Sequence, residues 1–441
     1  MLFTALLVTR RVTKQTKQIQ TVSKMGKKVL VVGSGGREHA IVDALCRSAQ
    51  VDKVFCAPGN AGIAAQAECV AIKDTDVEGL KNFAVEQGID LTVVGPEAAL
   101  AAGVVDAFRG AGLKIFGHTK AATRIESSKE FAKQLMVKYN IPTAAYEAFD
   151  NYEQAKAYVD RTGVPTVLKY DGLAAGKGVV VAMTEQEADE ALRDMLLDES
   201  FGKGRVVIEE YLEGPEFSLM CFVCGDKLYP MPVAQDHKRA YDGDKGPNTG
   251  GMGAYTHLPF ITDEDMEYAM EKVMRPTAAA MVAEGCPLTG VLYGGLMKTP
   301  NGIKVIEFNA RFGDPETEVV LPLISSDICD IFEAVATGTE AAEPTWETLA
   351  TLGIVLASKG YPGSYEKGFA IKNLEAVDGM IYHMGTANKD GEIVTAGGRV
   401  MIVVCKAETL AAAHAKANAE VAKIECENLF YRTDIGHKAF K

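Results

Sequence analysis

The stretch 168–179, Leu-Lys-Tyr-Asp-Gly-Leu-Ala-Ala-Gly-Lys-Gly-Val, constrains the fold more than any other part of the chain. An apolar, β-branched run (Val164, Val167, Leu168) brings in Lys169, and a second apolar run at 179–181 leads away. Strand, glycine-rich tip and strand make a β-hairpin whose tip is nearly all backbone. Small residues let amide groups come close to an anion, and Lys169 and Lys177 add positive charge at the same point. Gly172, Gly176, Lys177 and Gly178 therefore read either as a loop that covers a phosphate or as a flexible hairpin with solvated lysines. A P-loop is excluded: Gly172 and Gly176 enclose three residues, Gly178 stands where Ser or Thr must follow the lysine, and Val-Val-Val-Ala does not open a helix.

Length and charge limit the setting of such a loop. A chain of 441 residues is long enough for several domains, and 47% apolar residues with 43 glycines suit an α/β protein with many tight turns. No apolar run approaches the length of a membrane span. The net charge is −13, and residues 1–24 contain Arg10, Arg11, Lys14, Lys17 and Lys24 but no acid, so the remainder is more acidic still. That balance argues against nonspecific nucleic-acid binding and leaves phosphate chemistry to local basic loops. Nine cysteines are scattered. The only close pair, Cys221 and Cys224, sits three apart on a strand-like run and faces opposite ways, which predicts reduced thiols of a reducing compartment rather than a zinc site. The leader at 1–24 is expected to be disordered. It reads as an extension ahead of a working start at Met25, which implies a cytoplasmic protein, or as an organellar transit peptide.

From Met25 the pattern alternates. A β run at 29–32 enters Gly33-Ser34-Gly35-Gly36-Arg37-Glu38-His39 and then a helical pattern, a ready anion site at a helix start. Glu38 occupies the third glycine position of a dinucleotide fingerprint, which disfavours a dehydrogenase. The next strand ends in Pro58-Gly59-Asn60-Ala61-Gly62, another in Gly95-Pro96-Glu97. Strands alternating with helices predict an open parallel sheet with its site along the carboxyl edge, where Gly33, Ser34, Gly36, Asn60 and Glu97 should converge. Taken singly, each loop could equally be turn chemistry.

Ser127 or Ser128 caps a predicted amphipathic helix ending at Lys138, and Lys129 in its first turn is either a solvated lysine or an anion ligand. Downstream, a β run ends in Glu209-Glu210-Tyr211-Leu212-Glu213-Gly214-Pro215-Glu216, which can expose main-chain groups to a flat base while Glu216 reaches a ribose. A long glycine-rich stretch follows Asp236-His237-Lys238-Arg239, where His237 reads as a base or, in preference, as a neutral loop histidine. In Val305-Ile306-Glu307-Phe308-Asn309-Ala310-Arg311, strand geometry puts Glu307 and Asn309 on one face, with Ile306 and Phe308 toward the core. Two hard oxygen donors two residues apart suit Mg²⁺, and a glutamate within an apolar run is costly unless paired. From Thr351 the chain restarts as a small α+β appendix.

Taken together, these motifs resemble the glycinamide ribonucleotide synthetases (phosphoribosylamine–glycine ligases), ATP-grasp enzymes of purine synthesis. The resemblance covers everything after Met25, from Gly-Ser-Gly-Gly-Arg-Glu-His through Asp-Gly-Leu-Ala-Ala-Gly-Lys-Gly-Val and Glu-Phe-Asn-Ala-Arg-Phe-Gly-Asp-Pro-Glu to the late Tyr-Arg-Thr-Asp-Ile-Gly. It implies an N-terminal parallel-sheet domain at 25–126, an ATP-grasp domain at 127–345 with a mobile lid at about 147–208, and a C-terminal α+β domain at 346–441. Lys129 and Lys169 would hold ATP phosphates under the loop from Asp171 to Gly178. Glu209, Glu210 and Leu212 would border adenine and Glu216 the ribose. Glu307 and Asn309 would hold Mg²⁺ or Mn²⁺, and Asp236, Arg311, Asp314, Lys359 and Gly360 would border glycine. The first-domain loops would take the ribose 5-phosphate part of phosphoribosylamine. Glycine would be activated as glycyl phosphate by a monomer whose partners are small molecules only, without nucleic acid or membrane. Two positions depart from the family: Tyr170, usually Ala, and Gly295, where other ATP-grasp enzymes supply a second metal carboxylate. Another ATP-grasp ligase or carboxylase, and a nucleotide-binding module without turnover, are the competing readings. The glycine-loop and Arg-Phe-Gly-Asp-Pro-Glu motifs count against the first, and the presence of Lys169, Glu307 and Asn309 against the second.

Overall fold

The computed structural model describes residues 26–172, 178–198 and 200–440; the leader at 1–24, Gly176 and Lys177 lie outside the described residues. The chain opens with a parallel sheet of β1 (Lys27–Gly33), β2 (Val51–Pro58), β3 (Glu68–Cys69), β4 (Leu91–Val94) and β5 (Ile115–Phe116), in the order β3-β2-β1-β4-β5. Both faces of β1 are covered: Leu30 and Val32 join one core cluster, Val29 and Val31 another. That is why the strand reads as an unbroken apolar run. The order reverses beside β1, so the loops after β1, β2 and β4 meet at one carboxyl edge, as the alternation predicts.

The hairpin at 168–179 belongs to a four-stranded antiparallel sheet. Its strands are β6 (Tyr146–Phe149), β7 (Thr166–Tyr170), β8 (Val179–Ala182) and β9 (Val206–Glu210), in the order β6-β9-β7-β8. Helices Tyr152–Thr162 and Glu185–Leu196 contribute to the same small core, which takes Leu168, Tyr170, Val206 and Ile208. Strand alternation then sends Lys169 and Glu209 to the opposite face, toward the body of the protein. This small unit lies in the segment expected to form the lid, and is called the lid sheet for that expectation.

The body is a ten-stranded sheet running from Gly302–Asn309 through Thr289–Thr299, Glu216–Cys224, Ala234–Asp236 and Gly253–Thr256 to Ala350–Ser358, Arg399–Ala407 and Met380–His383. The C-terminal segment is therefore no appendix at the level of hydrogen bonding. Ala254 pairs with Gly353 and Tyr255 with Leu352, joining it to the same sheet. Two further expectations are modified. The stretch after Asp236 is not a bare loop but folds back as a hairpin of Arg239–Tyr241 and Lys245–Asn248. On the strand Gly302–Asn309 the register shifts: Glu307 faces Gly295 and Val305 faces Leu296, so Ile306 is an extra, bulged residue. The core side chains are accordingly Ile303, Val305 and Phe308, while Ile306 is only half-buried. No helix of the described residues is long and apolar enough to cross a membrane.

Candidate active site

The lid face and the body sheet bring a cluster of charges together. Ser128 caps helix Lys129–Lys138 by accepting from the Phe131 amide at 3.2 Å. The Asp171 carboxylate adds a second anion at this helix start, accepting from the Glu130 amide at 3.2 Å. Lys129 Nζ donates to the Gly172 carbonyl at 2.9 Å. Across the lid, Lys169 Nζ lies 2.9 Å from Glu209 Oε1 and donates to the Ile306 carbonyl at 2.8 Å. The bulge explains that second contact, because it takes Ile306 out of the ladder's residue pairing. Lys129 and Lys169 thus approach the strand that carries Glu307 and Asn309.

Glu307 has no hydrogen-bond or ion-pair partner among the described residues. Burial works against its charge, but Lys238, Lys169, Lys129 and Arg311 together hold the carboxyl below its ordinary range. The same balance appears from the other side at Lys129, which burial pushes down while Glu307 supports its charge. Asn309 Oδ1 accepts from Arg311 Nη2 at 3.1 Å. An ionised carboxylate without a direct partner, beside an amide oxygen on the same face, is a donor set that fits a hard divalent cation. Gly295 adds no ligand: a methyl group there would lie 3.2 Å from the Glu307 side chain.

Arg311 links this half to the first domain. It contacts Glu126 Oε1 at 3.1 Å and Glu97 Oε2 at 3.4 Å, and Glu126 also accepts from the Ala310 amide at 2.7 Å. Glu97 pairs in turn with Arg37 at 3.4 Å, and these two arginines overcome burial to hold its carboxyl at about 2. Arg37 also donates to Glu38 Oε1 at 2.7 Å, while Glu38 Oε2 takes the Gly35 amide at 2.5 Å. Asn60 donates to the Ser34 carbonyl and to the His383 carbonyl, both at 2.8 Å, tying the first loop to the C-terminal strand. Asp314 contacts Arg399 at 2.9 Å, and a methyl on Gly35 would lie 3.5 Å from its other oxygen. A methyl on Gly36 would meet the buried Glu318 carboxyl at 2.3 Å.

Most of the expected residues are therefore joined by one chain of contacts: the first-domain loops with Asn60 and Glu97 at one end, Arg311, Asn309 and the neighbouring Glu307 in the middle, and Lys129, Lys169, Asp171 and Gly172 at the lid sheet, with Gly33, Ser34, Gly36 and Asp314 beside the first of these. Glu209, Glu210 and Leu212 line a cleft of about 580 Å³ together with Thr299, Asn301 and Lys304, and there Glu210 Oε2 meets Lys304 at 3.3 Å. Beyond Leu212 the chain turns at Gly214 with φ +149°, and any side chain there would strike the Lys298 carbonyl. Glu216 pairs with Lys238 at 2.9 Å, next to Asp236 in the sheet. Asp236 is pushed up to about 7 by burial and by Glu316 and Glu216, against the pull of Lys238. His237 is neutral, as expected: burial lowers it well below its usual value, and its Nε2 accepts from the Gly436 amide. The structure does not bring Lys359 to this group. Its ammonium donates to the Glu427 carbonyl on an exposed turn with Gly360, while Tyr361 next door accepts from the Gly250 amide.

Several participants went unread in the sequence. Lys133 lies one turn after Lys129, Glu126 precedes the capped helix, and Arg37 sits inside the opening glycine motif. Each had a positional signal in its spacing from a motif residue. The departure at Tyr170 has a local cause as well. Its ring packs on Phe201 at 5.3 Å, between Gly172 and Gly204, where methyl groups would come within 2.8 Å and 2.6 Å of it. Gly204→Ala is expected to destabilise the lid by about 1–3 kcal/mol through overpacking, measured by urea denaturation. In a Tyr170→Ala background, where the ring that the new methyl would meet is gone, Gly204→Ala should cost much less.

The phosphoribosylglycinamide synthetase family matches along the chain: its N domain over residues 27–126, its ATP-grasp (A) domain over 127–317 and its C domain over 351–438. The phosphoribosylamine–glycine ligase of Halalkalibacterium halodurans is 54% identical over 415 residues, covering 93% of this chain and 97% of that one. The crystal structure of the phosphoribosylamine–glycine ligase from Thermotoga maritima superposes with a TM-score of 0.83 at 33% identity, over 93% of this chain and all of the other. The biotin carboxylase domain of the Hydrogenobacter thermophilus 2-oxoglutarate carboxylase, solved with MgADP and bicarbonate, shares the fold with a TM-score of 0.70 at 17% identity, over 92% of each chain. ATP-grasp enzymes as a class use ATP and a divalent cation. On this evidence the chain is an ATP-grasp ligase and belongs to the phosphoribosylamine–glycine ligase family.

Proposed function

We propose that this enzyme joins glycine to 5-phosphoribosylamine at the expense of ATP, giving glycinamide ribonucleotide, ADP and phosphate. The observation that carries the reading is the approach of Lys129 and Lys169 to the strand that bears Asn309 and Glu307, the latter without a hydrogen-bond or ion-pair partner among the described residues, with Arg311 and Glu97 joining that strand to the first-domain glycine loops. Lys129 and Lys169 hold the triphosphate, Glu210 and Leu212 border the base, and Glu216 the ribose. Glu307 and Asn309 hold Mg²⁺ or Mn²⁺, which when bound neutralises charge on the transferring phosphoryl group. A glycine carboxylate oxygen attacks the γ-phosphorus in line and ADP leaves, yielding glycyl phosphate. The amine of phosphoribosylamine, seated by Gly33, Ser34, Gly36, Asn60 and Glu97, then attacks the carbonyl carbon and phosphate departs. Arg311 and Asp314 border the acyl group. The lid sheet keeps water from the mixed anhydride.

Asp236, whose carboxyl burial pushes up to about 7, is the residue we assign to take the proton that the attacking amine gives up. Only the ionised carboxylate can accept it, so the rate is expected to fall as the pH drops through about 7. Asp236→Asn should lower kcat by about 10²-fold or more and flatten that acid limb, as a pH–rate profile would read.

The decisive assay is ADP release from the purified protein with glycine, with and without phosphoribosylamine. Sustained turnover that needs both substrates supports the assignment. Turnover with bicarbonate, or with other amino acids in place of glycine, would replace it with another ATP-grasp reaction.

A further inference from the structure

Beneath the lid, Glu209 is gripped by two cations rather than one. Lys169 Nζ lies 2.9 Å from its Oε1 and Lys133 Nζ lies 2.8 Å from its Oε2. All three side chains are about 3–4% exposed, so solvent screens none of these charges. Lys133 sits midway along helix Lys129–Lys138, where it also donates to Thr143 Oγ1 at 2.8 Å and to the Ala144 carbonyl at 3.4 Å. Among the described residues its only ionic partner is Glu209, and it makes no hydrogen bond or ion pair with Lys129, Glu307 or Asn309. Burying a second ammonium here costs free energy, and burial lowers Lys133 to about 8 with Lys169 and Lys304 adding repulsion. A charge this expensive, away from the ligand, needs a reason.

The reason lies in the charge balance. With Glu209 as its only ionic partner, Lys169 would be half of a neutral, buried pair, and a phosphate would have to compete with a carboxylate for it. With Lys133 on the other oxygen, the trio carries one net positive charge, and that charge can be presented at Lys169. We propose that Lys133 is a positioning residue that occupies Glu209 and so frees the charge of Lys169 for the nucleotide's phosphates. The inference rests on the proposed reading of Lys169 as a phosphate ligand. Lys133 acts through Glu209 and touches neither substrate nor reacting atoms.

The test is a charge-restoring double substitution. Lys133→Met should raise the KM for ATP at least about tenfold, which corresponds to about 1.4 kcal/mol, while adenosine binding by calorimetry stays unchanged because adenosine carries no phosphate. Lys133→Met with Glu209→Gln returns the trio to one net positive charge and should recover at least half of the lost ATP affinity on a logarithmic scale. Lys133→Arg, which keeps the charge, should remain near the parent. A merely structural lysine predicts otherwise: the double variant would be no better than the single one, and adenosine and ATP would weaken together. Either result overturns the proposal. If Lys133→Met does not fold, the double variant still decides the matter through its ATP affinity relative to its own adenosine affinity, because Glu209 also lines the base cleft: a parent-like ratio supports the proposal, and a ratio lowered about tenfold or more overturns it. Lys169→Met separates the two levels of the argument. If it leaves ATP affinity intact, the phosphate-site reading itself fails. If it destroys affinity while Lys133→Met does not, only the positioning role is lost.

Discussion

Glu307→Ala should yield a folded protein in which ATP turnover has fallen by about 10²–10³-fold or more, the scale of losing one preorganised electrostatic contact to a reacting group. The argument is one of charge. Lys129, Lys169, Lys238 and Arg311 all act on Glu307 and keep it ionised despite burial. Its carboxylate makes no hydrogen bond or ion pair among the described residues, so its removal deletes no structural contact. What is lost is a hard anionic donor, and with it the partner that supports the charge of Lys129. Thermal melting should therefore move by no more than a few degrees, while divalent-ion dependence of nucleotide binding flattens. Undiminished ADP production by the folded variant would remove Glu307 from the metal site and leave the site without its central donor.

How much of this was legible in the sequence depends on how local the signal is. The strand at 29–32, the hairpin around 168–179 and the Ser128 cap were readable because propensity, turn chemistry and capping act within a few residues. The convergence of Gly33, Asn60 and Glu97 followed from topology alone, since parallel strands place their carboxyl-end loops on one edge. Pairings between distant segments were not readable. The bulge at Ile306 exists only relative to Gly295 and Leu296, and it decides that Val305 enters the core while Ile306 offers its carbonyl to Lys169. Likewise, nothing near Thr351 announces that its strand continues the sheet through Gly253–Thr256. Lys133 lies on a helix whose other lysines are more exposed, and its burial follows from Glu209 on the lid rather than from its own neighbours. Tyr170 looked like an isolated departure until Gly204 and Phe201 supplied the space and the stacking partner.

The late motif Tyr-Arg-Thr-Asp-Ile-Gly makes the strongest structural prediction. Arg432 is fully buried, yet among the described residues its hydrogen bonds go to neither the lid sheet nor the first domain. Its guanidinium grips Asp434 in a two-point pair at 2.7 and 2.9 Å, reaches Asp244 at 2.9 Å and donates to the Arg239 carbonyl at 3.0 Å. Thr433 adds two bonds to Asp242, at 2.9 and 2.6 Å. The C-terminal segment is thus a clamp on the hairpin that follows Asp236 and Lys238. Arg432→Met should cost about 3–5 kcal/mol, because removing one partner of a buried pair strands the others, with the partial exposure of Asp244 and Asp434 favouring the lower end. Lysine should rescue little, since a single ammonium cannot reproduce the planar two-point contact. Trypsin should then cut after Lys238, Arg239 or Lys245 much faster than in the parent, and the KM for glycine should rise as Asp236 loses its support. The pairing also sets a pH signature. Arg432 holds Asp434 below its ordinary range, so this contribution is present above about pH 4, where a free aspartate is ionised, and is lost as acid protonates the pair. The variant should show a shallower loss of stability over that acid range. Equal proteolysis rates and an unshifted glycine KM in Arg432→Met would mean that the hairpin holds its place without the clamp.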